Sequence, residues 1–492
     1  MRPLLAAALL AALLAGCSLG PRYERPAQDV PPAFRATADT AAAAWPAAEW
    51  WQNFHSPELD RLIARARAYN NDLAAAAARV VQADAQARIS GAPLLPSVSA
   101  TGDFSYRRSG TGGRSSGGGR SSGDGSSALG NAGFGNGALG TGGNRYFDSR
   151  SYSIGLQASY DLDLFGRNRA LAEAARASAV ATRFDQETVA LAVVTSVAST
   201  YFQSLSGQDR LRVAERNLRD AERILGAYRA RLAAGTANAL DVSQQEALVA
   251  GQRAAIPNLR NTIEQQRIAL GILVGLPPER LEIAGGSLDD LPLPLVAPGL
   301  PSELLARRPD VATAESQLIA ESANIRAARA AFYPDIQLTA SGGLTSAALS
   351  ALTGPGTLVA QLAASLTQTI FDNGLRRGQL DQAKGRYEEL LANYRRATLQ
   401  AFTDVEQALT ALRYTGEQET LERAAIAVAQ RSATIAQAQL QAGTIDIITS
   451  LNTQQTLFND LDLLTQIRLA RFQALLNLYK ALGGGFAVTG AP

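Results

Sequence analysis

Apolar residues recur at heptad spacing over two long stretches of this chain. In the first, Leu211, Ala214, Leu218, Ala221, Leu225, Tyr228 and Leu232 fall on one stripe; in the second, Leu380, Tyr387, Leu391, Tyr394, Thr398, Ala401, Val405, Ala408 and Leu412 do the same. Side chains three and four residues apart share one face of an α-helix, so both stretches predict coiled-coil helices. Extended to the nearest chain breakers, the pattern predicts helices near 57–90, 168–233 and 239–275, and again near 301–331, 374–441 and 447–482. A helix of about 66 residues is about 100 Å long, several times the width of an ordinary domain, and does not wrap a globular centre. A two-residue period appears only in short windows. Tyr152, Ile154, Leu156, Ala158 and Tyr160 alternate with Ser151, Ser153, Gln157 and Ser159, as in a strand whose sheet has unlike faces. Strands are expected near 95–107 and 150–163, then near 334–344 and 358–371.

The same landmarks occur twice and in the same order. Arg88 precedes Pro96 by eight residues in ARISGAPLLPSVSATGDF, and Arg326 precedes Pro334 by eight in IRAARAAFYPDIQLTASGG. Each proline marks a turn from helix to strand, because the residue before proline is pushed out of the helical region. SYDLDLFG (159–166) matches SLTQTIFD (365–372), and LAAGTANAL (232–240) matches LQAGTIDII (440–448), with Gly235 and Gly443 breaking two helical patterns. Three recurrent landmarks read as a tandem duplication. The first repeat spans 57–275 and the second 301–483, joined by a linker over 276–300 and followed by a flexible tail over 484–492. Pro96 to Ser159 is 63 residues and Pro334 to Ser365 is 31, so the first copy carries 32 more. The excess falls in 107–144, a Gly- and Ser-dominated stretch too poor in apolar side chains to offset its ordering entropy, and reads as a mobile loop between two strands.

Composition removes whole classes of function. The 492 residues hold 46 basic and 44 acidic side chains, a net charge of +2 that offers no electrostatic case for nucleic acid. There is one His (His55), one Cys (Cys17) and one Met (Met1), and the only lysines are Lys384 and Lys480. A nucleophile–His pair would depend on His55 alone, a tetrahedral zinc site lacks ligands, and neither Lys is followed by Ser or Thr as a phosphate-binding loop requires. The chain is therefore expected to be no enzyme and to use no cofactor. His55, ahead of a Ser56-Pro57-Glu58 helix start, reads as a packing or surface residue.

The N-terminus reads as an export signal over 1–16. Arg2 supplies a positive start, a 12-residue apolar run (4–15) is too short to span a bilayer, and Leu14-Ala15-Gly16-Cys17 closes it. This tetrapeptide resembles the lipobox of bacterial lipoproteins, which implies lipidation of Cys17, a lipidated linker over 17–56 and, with Ser18 next, sorting to the outer membrane. Four strands cannot close a barrel, and an open sheet edge in a bilayer is prohibitively costly. Outer-membrane barrels begin at eight strands, so a chain of this kind would share its four; three chains would give twelve.

With CSLGPRYERP, EWWQNFHSPELDRLIARARAYNNDL, YDLDLFGRNR and LLARRPDVATAESQLIAESANIRAARAAFYPDI in place, the chain resembles the outer-membrane efflux channels of the TolC family, in the lipoprotein branch of NodT-like and OprM-like proteins. The resemblance implies a mainly α protomer with a membrane β-barrel portion, forming a trimeric α-barrel plus a 12-stranded β-barrel, lipid-anchored in the bacterial outer membrane and extending into the periplasm. It implies a passive conduit for small molecules and docking to a periplasmic adaptor and an inner-membrane pump, taken as proton-driven and of the RND type. A type I protein secretion channel, or a periplasmic coiled-coil adaptor lipoprotein without a pore, are the alternatives. The loop over 107–144 is expected outside the cell.

By the resemblance, the turns at Gly235 and Gly443 form the narrow periplasmic mouth. Asp241 follows the first turn by six residues, and three symmetry copies would make an anionic ring; a carboxylate that simply complements a helix start is the open alternative. In the second turn the family commonly places an acid where this chain has Thr449 or Asn452, with Asp446 nearby. Arg307, Arg308 and Asp310 in LARRPDV read as an ion-pair network at the base of a helix, with lining of a passage as the alternative.

Overall fold

The computed structural model describes residues 23–28, 30–35, 45–111, 145–296, 299 and 301–486. The signal segment, Cys17, most of the Gly/Ser-rich loop (112–144) and the last six residues lie outside the described residues. In chain order the elements are α1 (Pro57–Tyr69), α2 (Asn71–Gly91), β1 (Ser97–Thr111), β2 (Arg145–Asp161), α3 (Arg167–Ala233), α4 (Ala239–Leu273), α5 (Pro301–Leu304), α6 (Pro309–Ala330), β3 (Asp335–Ser346), β4 (Leu358–Thr367), α7 (Leu375–Gln441) and α8 (Ile447–Ala481). Two compact units emerge, one from Gly91–Arg169 with Ala330–Asn373, the other from the remaining described chain.

The first unit is a four-stranded antiparallel sheet in the order β1-β2-β3-β4. Its register puts Phe104 opposite Tyr152, Ile154 opposite Leu344, and Leu344 opposite Leu358. One face therefore carries Val98, Phe104, Ile154, Leu156, Leu358, Leu362 and Leu366, each more than half exposed, with the Phe104 and Tyr152 rings 4.8 Å apart. The opposite face carries Ser97, Ser99, Ser153, Gln157, Ser159, Gln337, Ser341 and Gln361. An apolar face of this extent is unfavourable against water and suits a hydrocarbon surface. Strand β1 runs to Thr111, five residues into the Gly/Ser-rich stretch, and β2 begins at Arg145, directly after that stretch and five residues ahead of its expected start. Each extra residue in a paired strand gains ladder hydrogen bonds that composition alone does not reveal.

The second unit is helical. Two of its helices differ from the expected continuous ones. The stretch 57–90 breaks at Asn70, whose extended backbone ends α1 while its Oδ1 accepts from the Asp72 and Leu73 amides at 2.9 and 3.1 Å, starting α2. Its Nδ2 donates to the Leu273 carbonyl at 2.9 Å, which fixes the break in space. The stretch 301–331 breaks between Leu304 and Pro309, because proline accepts the first position of a helix and disfavours a helical residue before it. Ser56 caps α1 through the Leu59 amide at 3.3 Å with Pro57 at the first position.

Among the described residues, four apolar clusters hold the helices, the smallest being Ala214, Ile256 and Leu259 between α3 and α4. The largest gathers Trp50, Phe54, Phe202, Phe472 and Tyr479, with Trp50 stacked on Tyr479 at 4.5 Å. Trp50 and Phe54 come from a 3₁₀ turn (Trp50–Phe54) within the stretch expected to be linker. A second joins Phe34, Leu304, Val311, Tyr394 and Val405. A third lies where α3, α4, α7 and α8 turn: Ala221, Leu225, Tyr228, Val242, Val249 and Ile447.

Candidate functional site

The two helical hairpins, α3–α4 and α7–α8, end in turns built alike. In the first, the Gly235 amide donates to the Leu232 carbonyl at 2.9 Å and the Thr236 amide to the Arg231 carbonyl at 2.8 Å; in the second, Gly443 donates to Leu440 at 3.1 Å and Thr444 to Gln439 at 2.9 Å. This is a Schellman end, which satisfies the last carbonyls of a helix and needs a left-handed residue. Gly235 at φ 71° and Gly443 at φ 72° supply it.

The returning helices are capped differently. Asn238 Oδ1 accepts from the Asp241 amide at 2.9 Å, and Asp241 Oδ2 accepts from the Asn238 amide at 3.3 Å, a reciprocal capping box. Asp446 is itself the cap of α8 and accepts from the Thr449 amide at 2.7 Å. Hydrogen bonds from the Thr449 amide and hydroxyl hold the Asp446 carboxyl below its ordinary range. Asn452 is exposed, and its backbone carbonyl accepts from the Thr456 hydroxyl at 2.9 Å. Behind these exposed groups Tyr228 is buried, and burial pushes its phenol up to about 12, against the nearby Arg231 charge and with that of Asp241. Arg231 Nη1 reaches the Leu440 carbonyl at 3.3 Å and ties one tip to the other. The tips thus present two carboxylates and a set of neutral polar groups over an apolar plug.

Away from the tips, Arg308 is buried and donates to Asp310 at 2.7 Å, to Asp404 at 2.9 Å and to the Ala481 carbonyl at 3.2 Å, joining α6, α7 and α8. Arg307 takes no part in that network and lies over the Trp45 ring at 4.6 Å. His55 is exposed and ends the 3₁₀ turn at φ 50°. Pro96 and Pro334 stand directly before β1 and β3. Among the described residues no group of three His, Cys, Asp or Glu is placed to hold a metal ion.

One cluster is not visible in the linear sequence. The buried Glu419 carboxylate accepts from Arg423 at 2.8 Å and Arg471 at 2.8 Å, and lies 3.4 Å from Arg468. Arg468 also donates to the Leu288 carbonyl at 2.9 Å and pairs with Asp289, anchoring the inter-repeat linker. Burial raises the Glu419 carboxyl, but hydrogen bonds from Arg471 and Arg423 and the charges of Arg471 and Arg468 outweigh it and leave it below the usual range. The four-residue step from Glu419 to Arg423 is the one signal in the sequence; the other arginines lie about fifty residues on.

The outer membrane efflux protein family model matches residues 62–276 and 300–484. The pyoverdine export outer membrane protein OpmQ of Pseudomonas aeruginosa is 40% identical over 438 residues, covering 89% of this chain and 87% of its own. The cation efflux system protein CusC of Escherichia coli is 30% identical over 482 residues, covering 97% of this chain and 98% of its own. The open state of the Neisseria gonorrhoeae MtrE outer membrane channel matches with a TM-score of 0.82 at 30% identity, over 95% of this chain and 98% of that one.

Proposed function

The chain belongs to the outer membrane efflux protein family, and from that premise we propose that three copies pool their sheets into one twelve-stranded barrel and act as a passive conduit. The observation that carries this is the sheet itself. Four strands with an exposed apolar face leave β1 and β4 each with one unpaired edge, and edges are tolerated in a bilayer only when another strand closes them. The conduit performs no catalysis; energy comes from an inner-membrane pump of the proton-driven RND type, reached through a periplasmic adaptor.

Cargo is a small organic solute rather than a soft cation. No Met follows Met1, so thioether stepping stones are missing, and the name of OpmQ, the more similar of the two relatives, concerns pyoverdine export. Cys17 is lipidated after removal of 1–16, as the apolar run and its closing tetrapeptide suggest. Asp241 and Asp446, with Thr449 and Asn452 beside them, line the periplasmic mouth. Native mass measurement of the detergent-solubilised protein should give three chains per particle, and planar bilayers should record discrete conductance steps. A stable monomer without conductance overturns the reading.

A further inference from the structure

Helices α3 and α8 pack side by side, and the pair has two unlike faces. On one, Val194, Val197, Phe202, Phe472 and Tyr479 belong to the largest apolar cluster and are covered by Trp50 and Phe54 of the 3₁₀ turn. The other stays open. There Ser196, Ser199 and Thr200 of α3 and Gln473, Asn477 and Lys480 of α8 surround a cavity of about 330 Å³. Spacings of three and four residues put each set on a single helix face. Ser196, Asn477 and Lys480 are exposed.

The polar groups around this cavity are largely unspent. Ser199 Oγ accepts from the Gln203 side-chain amide at 3.2 Å and keeps its own proton to donate. Among the described residues, the side chains of Ser196, Thr200, Gln473, Asn477 and Lys480 have no hydrogen bond or ion pair within the chain, and no Asp or Glu lines the cavity. An ammonium has three donors and no acceptor, and the hydroxyls and carboxamides beside it can each turn a proton inward. The complement of such a set is an anionic oxygen group. Helices α3 and α7, and likewise α4 and α8, have bounds offset by 208 residues at both ends, so every position in one hairpin has a counterpart in the other. The counterparts of Ser196, Asn477 and Lys480 are Asp404, Ala269 and Ile272. The hairpin architecture therefore requires neither the groove nor a positive charge at the end of its returning helix.

We infer that the open face of α3 and α8 lines the passage and that its groove, centred on Lys480, holds an anionic oxygen group, carboxylate or phosphate, of a solute in transit. Polar side chains without partners are tolerated where water or a solute reaches them, and the apolar face is already covered by the 3₁₀ turn. Three copies would set three ammonium groups around the axis, and rings of Lys or Arg concentrate anions in pores. A lysine is a compact, hydrated point charge that holds an anion less rigidly than a bidentate guanidinium, which suits a site that must also release it. Lys480 lies about 50 Å along α8 from the cap Asp446, against a Debye length of about 8 Å, so the tip acids and this groove act independently. The inference rests on the conduit reading above and names a class of solute group that the conduit wall recognises.

Citrate and inorganic phosphate are the probes, read by single-channel recording in planar bilayers and by titration calorimetry on the detergent-solubilised protein. Both should bind and block small-ion current in a concentration-dependent way. Lys480→Gln should weaken block and binding severalfold, while Lys480→Arg keeps most of both. The double variant Ser196→Ala/Asn477→Ala, which leaves Lys480 in place, should weaken them less and carries the test should Lys480→Gln fail to assemble. Stronger action of citrate assigns the groove to carboxylate-bearing solutes, and stronger action of phosphate to phosphorylated ones. If Lys480→Gln lowers thermal stability with block and binding unchanged, the lysine only complements the end of α8 and the inference is overturned. Conductance without block or binding by either probe also overturns it and leaves the conduit standing. Binding that depends on Lys480 in a protein without conductance removes the conduit and keeps the anion site.

Discussion

Hairpin one and hairpin two carry the same backbone and different charge. Along α3–α4 three ion pairs form a ladder: Arg229–Glu246 at 2.7 Å, Arg253–Glu222 at 2.6 Å and Arg260–Glu215 at 3.3 Å. At the counterpart positions α7–α8 has Gln437 with Gln454, Gln430 with Leu461, and Arg423 with Arg468. Among the described residues, the ion pairs between the two helices of the second hairpin instead meet in one knot at Glu419. The caps diverge in the same way, since Asn238 and Asp446 are counterparts, as are Asp241 and Thr449. The acid sits at the third helical position in one hairpin and at the cap in the other. Duplication has kept what the backbone needs and released what it does not, so the features confined to one hairpin are where function specific to each is to be sought.

The largest effect is expected at the knot. Glu419→Gln leaves three guanidinium groups around a neutral amide, and loss of one partner from a buried ion cluster costs about 3 to 5 kcal/mol. Because Arg423 is half exposed and Arg471 one-third exposed, about 2 to 4 kcal/mol is expected. Hydrogen exchange should show faster opening of α7–α8, with α3–α4 nearly unchanged. A pH titration tests the same group. Its folded carboxyl titrates below the unfolded one, so its contribution is present above the unfolded value of about 4.3 and is lost as pH falls through the folded value. Equal loss of protection in both hairpins on acidification would erase the asymmetry.

Next in size are the turns, where the hairpins should behave alike. Gly235→Ala and Gly443→Ala each force a β-carbon into a left-handed residue, at about 1 to 2 kcal/mol. Neither added carbon meets a neighbour within 4 Å, so the backbone term alone acts. Thermal unfolding of the two variants should agree. Clearly unequal costs would mean that one tip is packed in the assembled channel and the other is not.

These turns were among the most legible features of the chain. A glycine ending an apolar stripe, followed by Asn or Asp before the next, carries a local mechanism, and both ends of α4 and α8 fall within two residues of the expected bounds. The breaks at Asn70 and before Pro309 were harder to read. Asn70 interrupts its helix because its side chain reaches Leu273, a contact between residues two hundred apart. Pro309 carried a local signal, yet the run of helix formers around it hid the gap. Asp241 and Asp446 were visible as acids near turns, but which capped and which sat beside the cap depended on backbone geometry. The Arg308–Asp310 pair was legible in LARRPDV, but its links to Asp404 and the Ala481 carbonyl, like the Glu419 knot, join segments distant in sequence, and a pattern of residues along one chain does not contain them.

A smaller effect is expected along the ladder. Arg253 and Glu222 are two-thirds and about two-fifths exposed, and exposed pairs contribute about 0.2 to 1 kcal/mol. A double-mutant cycle on Arg253→Ala and Glu222→Ala should return a coupling in that range that shrinks with added salt. The reciprocal graft, Gln430→Glu with Leu461→Arg, should transfer a similar coupling to hairpin two. Failure of the graft, with the native pair coupled, would show that the helices of hairpin two are spaced or rotated differently in solution.

The smallest change in stability is expected at Asp241, and there the comparison bears on conduction. Asp241→Asn keeps a side-chain oxygen to accept from the Asn238 amide and removes only a first-turn charge, so stability should fall by a few tenths of a kcal/mol, within the 0.3 to 1 kcal/mol range for such charges. Three copies of the carboxylate around an axis would concentrate negative potential where the passage is narrow, so the wild type should prefer cations and be blocked by divalent ones. The variant should show weaker preference and weaker block in planar bilayers. Asp446→Asn should shift both less, because its carboxylate is already engaged by the Thr449 amide and hydroxyl as a cap. If Asp446→Asn shifts selectivity more than Asp241→Asn does, the gating charge belongs to the second hairpin and the capping box is only a helix start. If neither changes conduction while Asp241→Asn loses stability, both carboxylates are caps and the constriction lies elsewhere on the helices.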